Sequence, residues 1–165
     1  MYLKKKNILV TGAAGFLGSH LSEQLANLGH NVVGIDSMIG GYEDNVPKNI
    51  KFSKLDCCDF EKINEIMKGV DVVYHCAATA HEGLSVFSPF EITKNNYLAS
   101  VSIFTAAVNE NVDRIIFCSS MARYGGQQTP FTENMKPTPV DPYAISKVAS
   151  EEVLKNLCDL NNIEW

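Results

Sequence analysis

A short apolar run, Asn7–Thr11 (NILVT), breaks directly into residues 11–18 (TGAAGFLG), whose glycines are Gly12, Gly15 and Gly18. No other stretch limits the possible folds so strongly. A buried strand must end there, turn sharply, and restart as a helix from Phe16 to about Leu28, where Gly29 stops it. Gly12 permits the tight turn, Gly15 lets a pyrophosphate approach the backbone, and Gly18 lets the helix lie close to the sheet. The N–H groups of Phe16 and Leu17 open that helix. They are free to face an anion, with the helix dipole behind them.

The rest of the chain repeats the alternation of strand and helix. Strands are expected over residues 31–36 (NVVGID), 50–55, 70–76 (VDVVYHC) and 114–119 (RIIFCS). Helices are expected over residues 60–68, with Ile63, Ile66 and Met67 on one face, over 90–110 behind Pro89, and over 142–160. Residues 163–165 read as a sixth strand that has only begun. The pattern predicts an α/β chain: a Rossmann-type, doubly wound parallel sheet covered on both faces. One domain, residues 1–165, is expected. It is read as the N-terminal piece of a longer protein, cut before a C-terminal substrate domain.

Composition narrows the partners. The formal net charge is -5 and the only basic run is Lys4-Lys5-Lys6, so there is no electrostatic footprint for nucleic acid. No apolar stretch approaches the roughly 20 residues of a membrane span, and the N-terminus lacks the pattern of a signal peptide. The five cysteines, Cys57, Cys58, Cys76, Cys118 and Cys158, form no CxxC pair, which points to free thiols in a reducing cytoplasm and to no metal site.

Two further features carry chemistry. Asp36 closes the second strand, eighteen residues beyond Gly18, and no arginine follows it. A carboxylate there accepts hydrogen bonds from both adenosine ribose hydroxyls and repels a 2′-phosphate, so NAD is preferred over NADP. Tyr143 and Lys147 are four apart on the last helix and share a face. Free tyrosine is a poor base at neutral pH, and a neighbouring ammonium favours its phenolate. The fifth strand ends in Ser119 and Ser120, at the edge where open parallel sheets bind ligands.

In these features the chain resembles the extended short-chain dehydrogenase/reductase family, in its NAD-dependent epimerase/dehydratase branch. The matching segments are TGAAGFLG, Asp36, LDCCD at 55–59, HCAA at 75–78, Asn95-Asn96, SSMARYG at 119–125 and PYAISK at 142–147. The resemblance implies that Gly12, Gly15, Phe16, Leu17, Gly18 and Asp36 hold NAD, that Asp56 and the Cys57 backbone contact adenine, and that Ala77, Ala78 and Asn95 line the path to the nicotinamide. It implies Tyr143 as acid/base, Ser120 as its hydroxyl partner, and Lys147 on the nicotinamide ribose. A nucleotide-sugar substrate (UDP-, GDP- or dTDP-linked) and a homodimer built on the helices before strands five and six are implied as well.

The implied reaction is epimerisation through a transient keto sugar. Related dehydratases carry a carboxylate pair after the Ser/Thr, where this chain has Met121 and Ala122, which cannot transfer protons. A reductase or dehydrogenase is the alternative within the family, with dehydration disfavoured, and a non-catalytic NAD-binding module is the alternative for the isolated piece. His81 and Glu82 lie in the loop near the expected sugar. Arg123 stands where a small residue is usual, and either reaches substrate or lines the surface.

Overall fold

Alternation of side chains along a strand decides which residue faces which layer. The computed structural model describes residues 4–165. Its five strands are β1 (Asn7–Thr11), β2 (Asn31–Asp36), β3 (Lys51–Lys54), β4 (Val72–His75) and β5 (Arg114–Phe117), all parallel, in the order β3-β2-β1-β4-β5. In β1, Leu9 faces one layer and Ile8 and Val10 the other, yet all are buried, because helices cover both faces. Register runs Thr11 to Ile35 on one side and Thr11 to His75 on the other, and His75 continues to Phe117. Glu164 pairs with Arg114 as an isolated parallel bridge beside β5, where the sequence reading expected the start of a sixth strand; among the described residues no sixth strand forms.

Helix α1 (Phe16–Asn27) covers the Ile8/Val10 face, and small residues, Gly18, Ser19 and Ser22, turn toward the sheet. On the other face lie α2 (Phe60–Met67), α5 (Ala99–Asn109) and α6 (Pro142–Asn161), which enclose Leu9, Val73 and Ile115 with Ile63, Met67, Ile103, Phe104 and Leu154. Asp59 and Asp141 cap α2 and α6 by accepting from Lys62 N–H and Ala144 N–H.

Two details differ from the sequence reading. A one-turn helix α3 (Glu82–Ser85) occupies part of the loop after β4. The long helix expected over 90–110 is continuous but not uniform: α4 (Pro89–Ile92) passes through a π-helical segment, Thr93–Leu98, before becoming α5. Phe90, Leu98 and Ile145 stay exposed on these helices and on α6, and Phe87 is exposed in the turn between α3 and α4.

Reversal of strand order at β1 creates a crevice between the carboxyl ends of β1 and β4, where the connections leave to opposite faces. The close approach of α1 to that crevice depends on Gly18. A Cβ built there falls 2.1 Å from the Gly12 carbonyl oxygen, whereas one at Gly83 in α3 meets nothing within 4 Å. Gly18→Ala is therefore expected to cost about 1–3 kcal/mol or more in urea unfolding. Gly83→Ala should be neutral or stabilise by up to about 1 kcal/mol. Equal midpoints for the two variants would remove the packing role assigned to Gly18.

Candidate active site

The β1–α1 turn forms because Gly12 adopts a left-handed conformation, φ +71°, that an L side chain resists. A Cβ on Gly12 would also lie 2.9 Å from Ala77 N, so turn and β4 end touch backbone to backbone. Gly15 N–H donates to the Gly12 carbonyl at 3.0 Å and closes the turn. Gly15 caps α1 without a side chain, and among the described residues no protein group accepts from the N–H of Phe16 or Leu17. A positive helix end is thus left open toward a cleft of about 350 Å³.

Every residue that the sequence reading assigned to the cofactor, apart from Tyr143 and Lys147, lines this one cleft: Gly12, Gly15, Phe16, Leu17, Gly18, Asp36, Asp56, Cys57, Ala77, Ala78 and Asn95. Asp36 does two jobs. Its Oδ2 accepts from Ala14 N–H at 3.0 Å and its Oδ1 from Met38 N–H at 2.8 Å, so the carboxylate orders the turn after β2 as well as facing the cleft. Each oxygen retains a lone pair for a further donor. Asp56 braces its own turn through Cys58 N–H at 2.8 Å. Of the two loop residues left open by the sequence, His81 lines the cleft, while Glu82 begins α3 outside its lining.

His75, which the sequence reading quoted within HCAA without a role, sits at the centre of a buried hydrogen-bond network. It is wholly buried at the end of β4, with Nδ1 2.7 Å from Thr11 Oγ1 and Nε2 2.9 Å from Ser100 Oγ. Ser100 gives its hydrogen to the Asn96 carbonyl at 2.5 Å, so its oxygen must accept from Nε2–H. Nδ1 then accepts from the Thr11 hydroxyl, whose oxygen in turn accepts from Ala77 N–H at 3.1 Å. The tautomer follows from the network. Burial, with some help from the Lys147 charge, pushes the imidazole pKa from 6.5 down to about 3 and keeps it neutral.

The same chain reaches the π-helical segment. Asn96 is buried and its side chain clamps Thr79, accepting from the N–H at 2.7 Å and donating to the carbonyl at 3.3 Å. Asn95, its neighbour, donates to Thr79 Oγ1 at 3.3 Å and lines the cleft. A regular helix splays consecutive residues about 100° apart; the π turn lets both address one residue.

Ser120, Tyr143 and Lys147 lie outside the lining of the cleft; Tyr143 and Lys147 are neighbours on α6, and Ser120 follows the end of β5. Ser120 Oγ accepts from Ala122 N–H at 3.2 Å and caps the 3-10 turn Met121–Tyr124. Tyr143 lies in the first turn of α6 and is 6% exposed; among the described residues its hydroxyl has no hydrogen-bond partner. Lys147 shares its face, as the spacing predicts, with Nζ 6.0 Å from the Tyr143 ring centroid and 4.7 Å from that of Phe117. Its one hydrogen bond runs to the Cys118 carbonyl, at 2.8 Å. Burial lowers its pKa from 10.5 to about 8, opposed by Cys118, Cys76 and Glu151, so the ammonium persists at neutral pH. Arg123 is tied to Glu151 at 3.1 Å, and Ser119 donates to the same carboxylate.

Known proteins share this fold. The model of the NAD dependent epimerase/dehydratase family matches residues 8–165. UDP-glucose 4-epimerase of Azospirillum brasilense is 30% identical over 152 residues, which are 90% of this chain and 44% of that protein. The structure of UDP-glucose 4-epimerase from Thermotoga maritima with UDP-glucose superposes with a TM-score of 0.91 at 31% identity, covering 95% of this chain and 52% of that one. UDP-glucose 4-epimerase from Brucella ovis in complex with NAD gives 0.90 at 31%, covering 96% and 49%. The chain spans about half the length of these relatives.

The neutral imidazole has a measurable consequence. The folded pKa of His75 lies below its unfolded value, so the unfolded chain binds the extra proton between about pH 3 and 6.5. Stability must fall as pH drops through that window, by up to about 1.4 kcal/mol per pH unit from this group. His75→Leu should be less stable at pH 7 but should lose that share of the slope between pH 6.5 and about 5, read by urea titration. Identical slopes in both chains would show that His75 is not the buried titrating group.

Proposed function

The chain belongs to the NAD dependent epimerase/dehydratase family, and from that premise we propose that it is the dinucleotide-binding part of a nucleotide-sugar epimerase. The residues present fit NAD. The unpartnered N–H groups of Phe16 and Leu17 suit its pyrophosphate, Asp36 suits the adenosine ribose, and Gly12 with Ala77 and Ala78 leave the floor free of bulky side chains. One observation carries the reading furthest. The open helix end, Asp36 and the Ser120/Tyr143/Lys147 group all stand along one carboxyl rim of a single sheet.

NAD, when bound, supplies a hydride acceptor that can return what it has taken. Tyr143 takes the proton of the sugar hydroxyl under oxidation and gives it back once the keto sugar has turned over. Ser120 donates a hydrogen bond to the same oxygen, for which its hydroxyl must swing from Ala122 N–H or serve both. Lys147, charged at neutral pH and fixed by the Cys118 carbonyl, has two remaining hydrogens for a ribose. Met121 and Ala122 offer no group for eliminating water, which supports epimerisation or simple oxidation and reduction over dehydration.

The similar 4-epimerases in the comparisons make a UDP-sugar the first substrate to try. The exposed Phe90, Leu98 and Ile145 suit a second copy packed on this helix face. Among the described residues no helix is long and apolar enough to cross a membrane. Five free thiols suit a reducing compartment such as the cytoplasm.

In the full-length protein, Tyr143→Phe should leave NAD affinity unchanged in titration calorimetry while lowering turnover by at least about a hundredfold. Turnover is read by NMR on UDP-, GDP- and dTDP-sugars. Undiminished turnover in that variant would sink the acid/base role. Absence of both conversion and a transient NADH signal in the unaltered protein would favour a binding module.

A further inference from the structure

Two thiols beside the site have no part in the chemistry above. Cys76 and Cys118 each follow the last residue of their strands, β4 and β5. The register that sets His75 beside Phe117 continues one step further, for Cys118 N–H donates to the His75 carbonyl at 3.1 Å. The cysteines therefore stand opposite each other on one face, with Sγ atoms 3.6 Å apart and an S–H···S contact between them. Both are half-buried, and Cys76 lines the cleft.

We propose that Cys76 and Cys118 form a redox-reactive dithiol site, which a hydroperoxide oxidises to a disulfide in the wall of the dinucleotide cleft. Geometry permits the bond. Neighbouring strands run about 4.7–4.9 Å apart, within the roughly 4.4–6.8 Å that a disulfide spans between Cα atoms. The sulfurs need only close from 3.6 Å to about 2.05 Å by side-chain rotation.

Cys118 is the attacking thiol, because the Lys147 ammonium is bonded to its own carbonyl at 2.8 Å. The Cys76 sulfur beside it and that charge favour its deprotonation. Cys118 sulfur attacks one peroxide oxygen; the O–O bond breaks, the departing oxygen leaves as water or an alcohol, and a sulfenic acid forms on Cys118. Cys76 sulfur then attacks that sulfur, loses its proton and expels the hydroxyl as water. Two thiols are oxidised by two electrons and one peroxide is reduced.

Selectivity follows from the other cysteines. Burial and Asp56 push Cys57 up to about 12, and the same causes push Cys58 up to about 11, so neither supplies thiolate at neutral pH. Cys158, on the core face of α6, is buried and burial raises it as well. Thiol–disulfide exchange with cellular thiols reverses the bridge. Transient bonds of this kind are compatible with a reducing compartment.

The test uses the full chain, reduced and then treated with a single equivalent of hydrogen peroxide before alkylation in denaturant and peptide mass spectrometry. A Cys76–Cys118 linked peptide, lighter by two hydrogens and restored by dithiothreitol, is expected, with Cys57, Cys58 and Cys158 alkylated. Cys76→Ser should trap a dimedone-reactive sulfenic acid on Cys118 and form no link. The proposal is overturned if Cys76 and Cys118 both remain alkylatable after peroxide, or if Cys118 in Cys76→Ser gives no adduct. These readouts do not depend on turnover, so their failure is distinct from failure of the epimerase reading.

Discussion

The hydrogen-bond chain through neutral His75 holds the two halves of the crevice together. It begins at the Asn96 carbonyl, passes Ser100, His75 and Thr11, and ends on Ala77 N–H in the cleft wall. Each donor has one acceptor, and the direction of every hydrogen is fixed by the first. In a buried site such a chain is stabilising only while complete, because any break strands a polar group away from water. Thr11 ends the strand that leads into the glycine turn, so the chain sets the backbone that carries Gly12. Geometry at the cleft thus depends on a residue that does not face it.

The strands and the first turn could be read from the sequence because their causes are local. Continuous apolar runs at 7–11, 31–36 and 114–117 mark strands buried on both faces. Glycine at 12, 15 and 18 admits few backbone paths, and the structure follows the one expected. All eleven residues assigned to the cofactor apart from the tyrosine–lysine pair were brought to one cleft, since each was placed by a strand end or a turn. The π-helical segment was not legible. Nothing in TKNNYL distinguishes it from an ordinary helix; its cause is tertiary, the pull of two asparagines toward Thr79. His75 was invisible in role for a similar reason. Its partners lie sixty-four residues before it and twenty-five after it.

Several residues serve structure and site together, which a reading by alternatives tends to divide. Asp36 orders two backbone N–H groups and still presents lone pairs to the cleft. Ser120 caps a turn that begins at the rim. Arg123 is the opposite case: the pairing with Glu151 and the Tyr124 ring 5.3 Å below it hold the guanidinium in place, although its Nε is buried without an acceptor.

The tyrosine and lysine illustrate how spacing can be right while the contact it suggests is not the one that forms. Four residues on a helix bring Tyr143 and Lys147 to one face, but Lys147 Nζ rests on the Phe117 ring and the Cys118 carbonyl. Its place is therefore set by the end of β5 rather than by Tyr143. An ammonium fixed by strand backbone keeps its position whatever the phenol does, while the two hydrogens it does not use stay free for a polar ligand. Because burial has already drawn its pKa down to about 8, the charge is held at some cost.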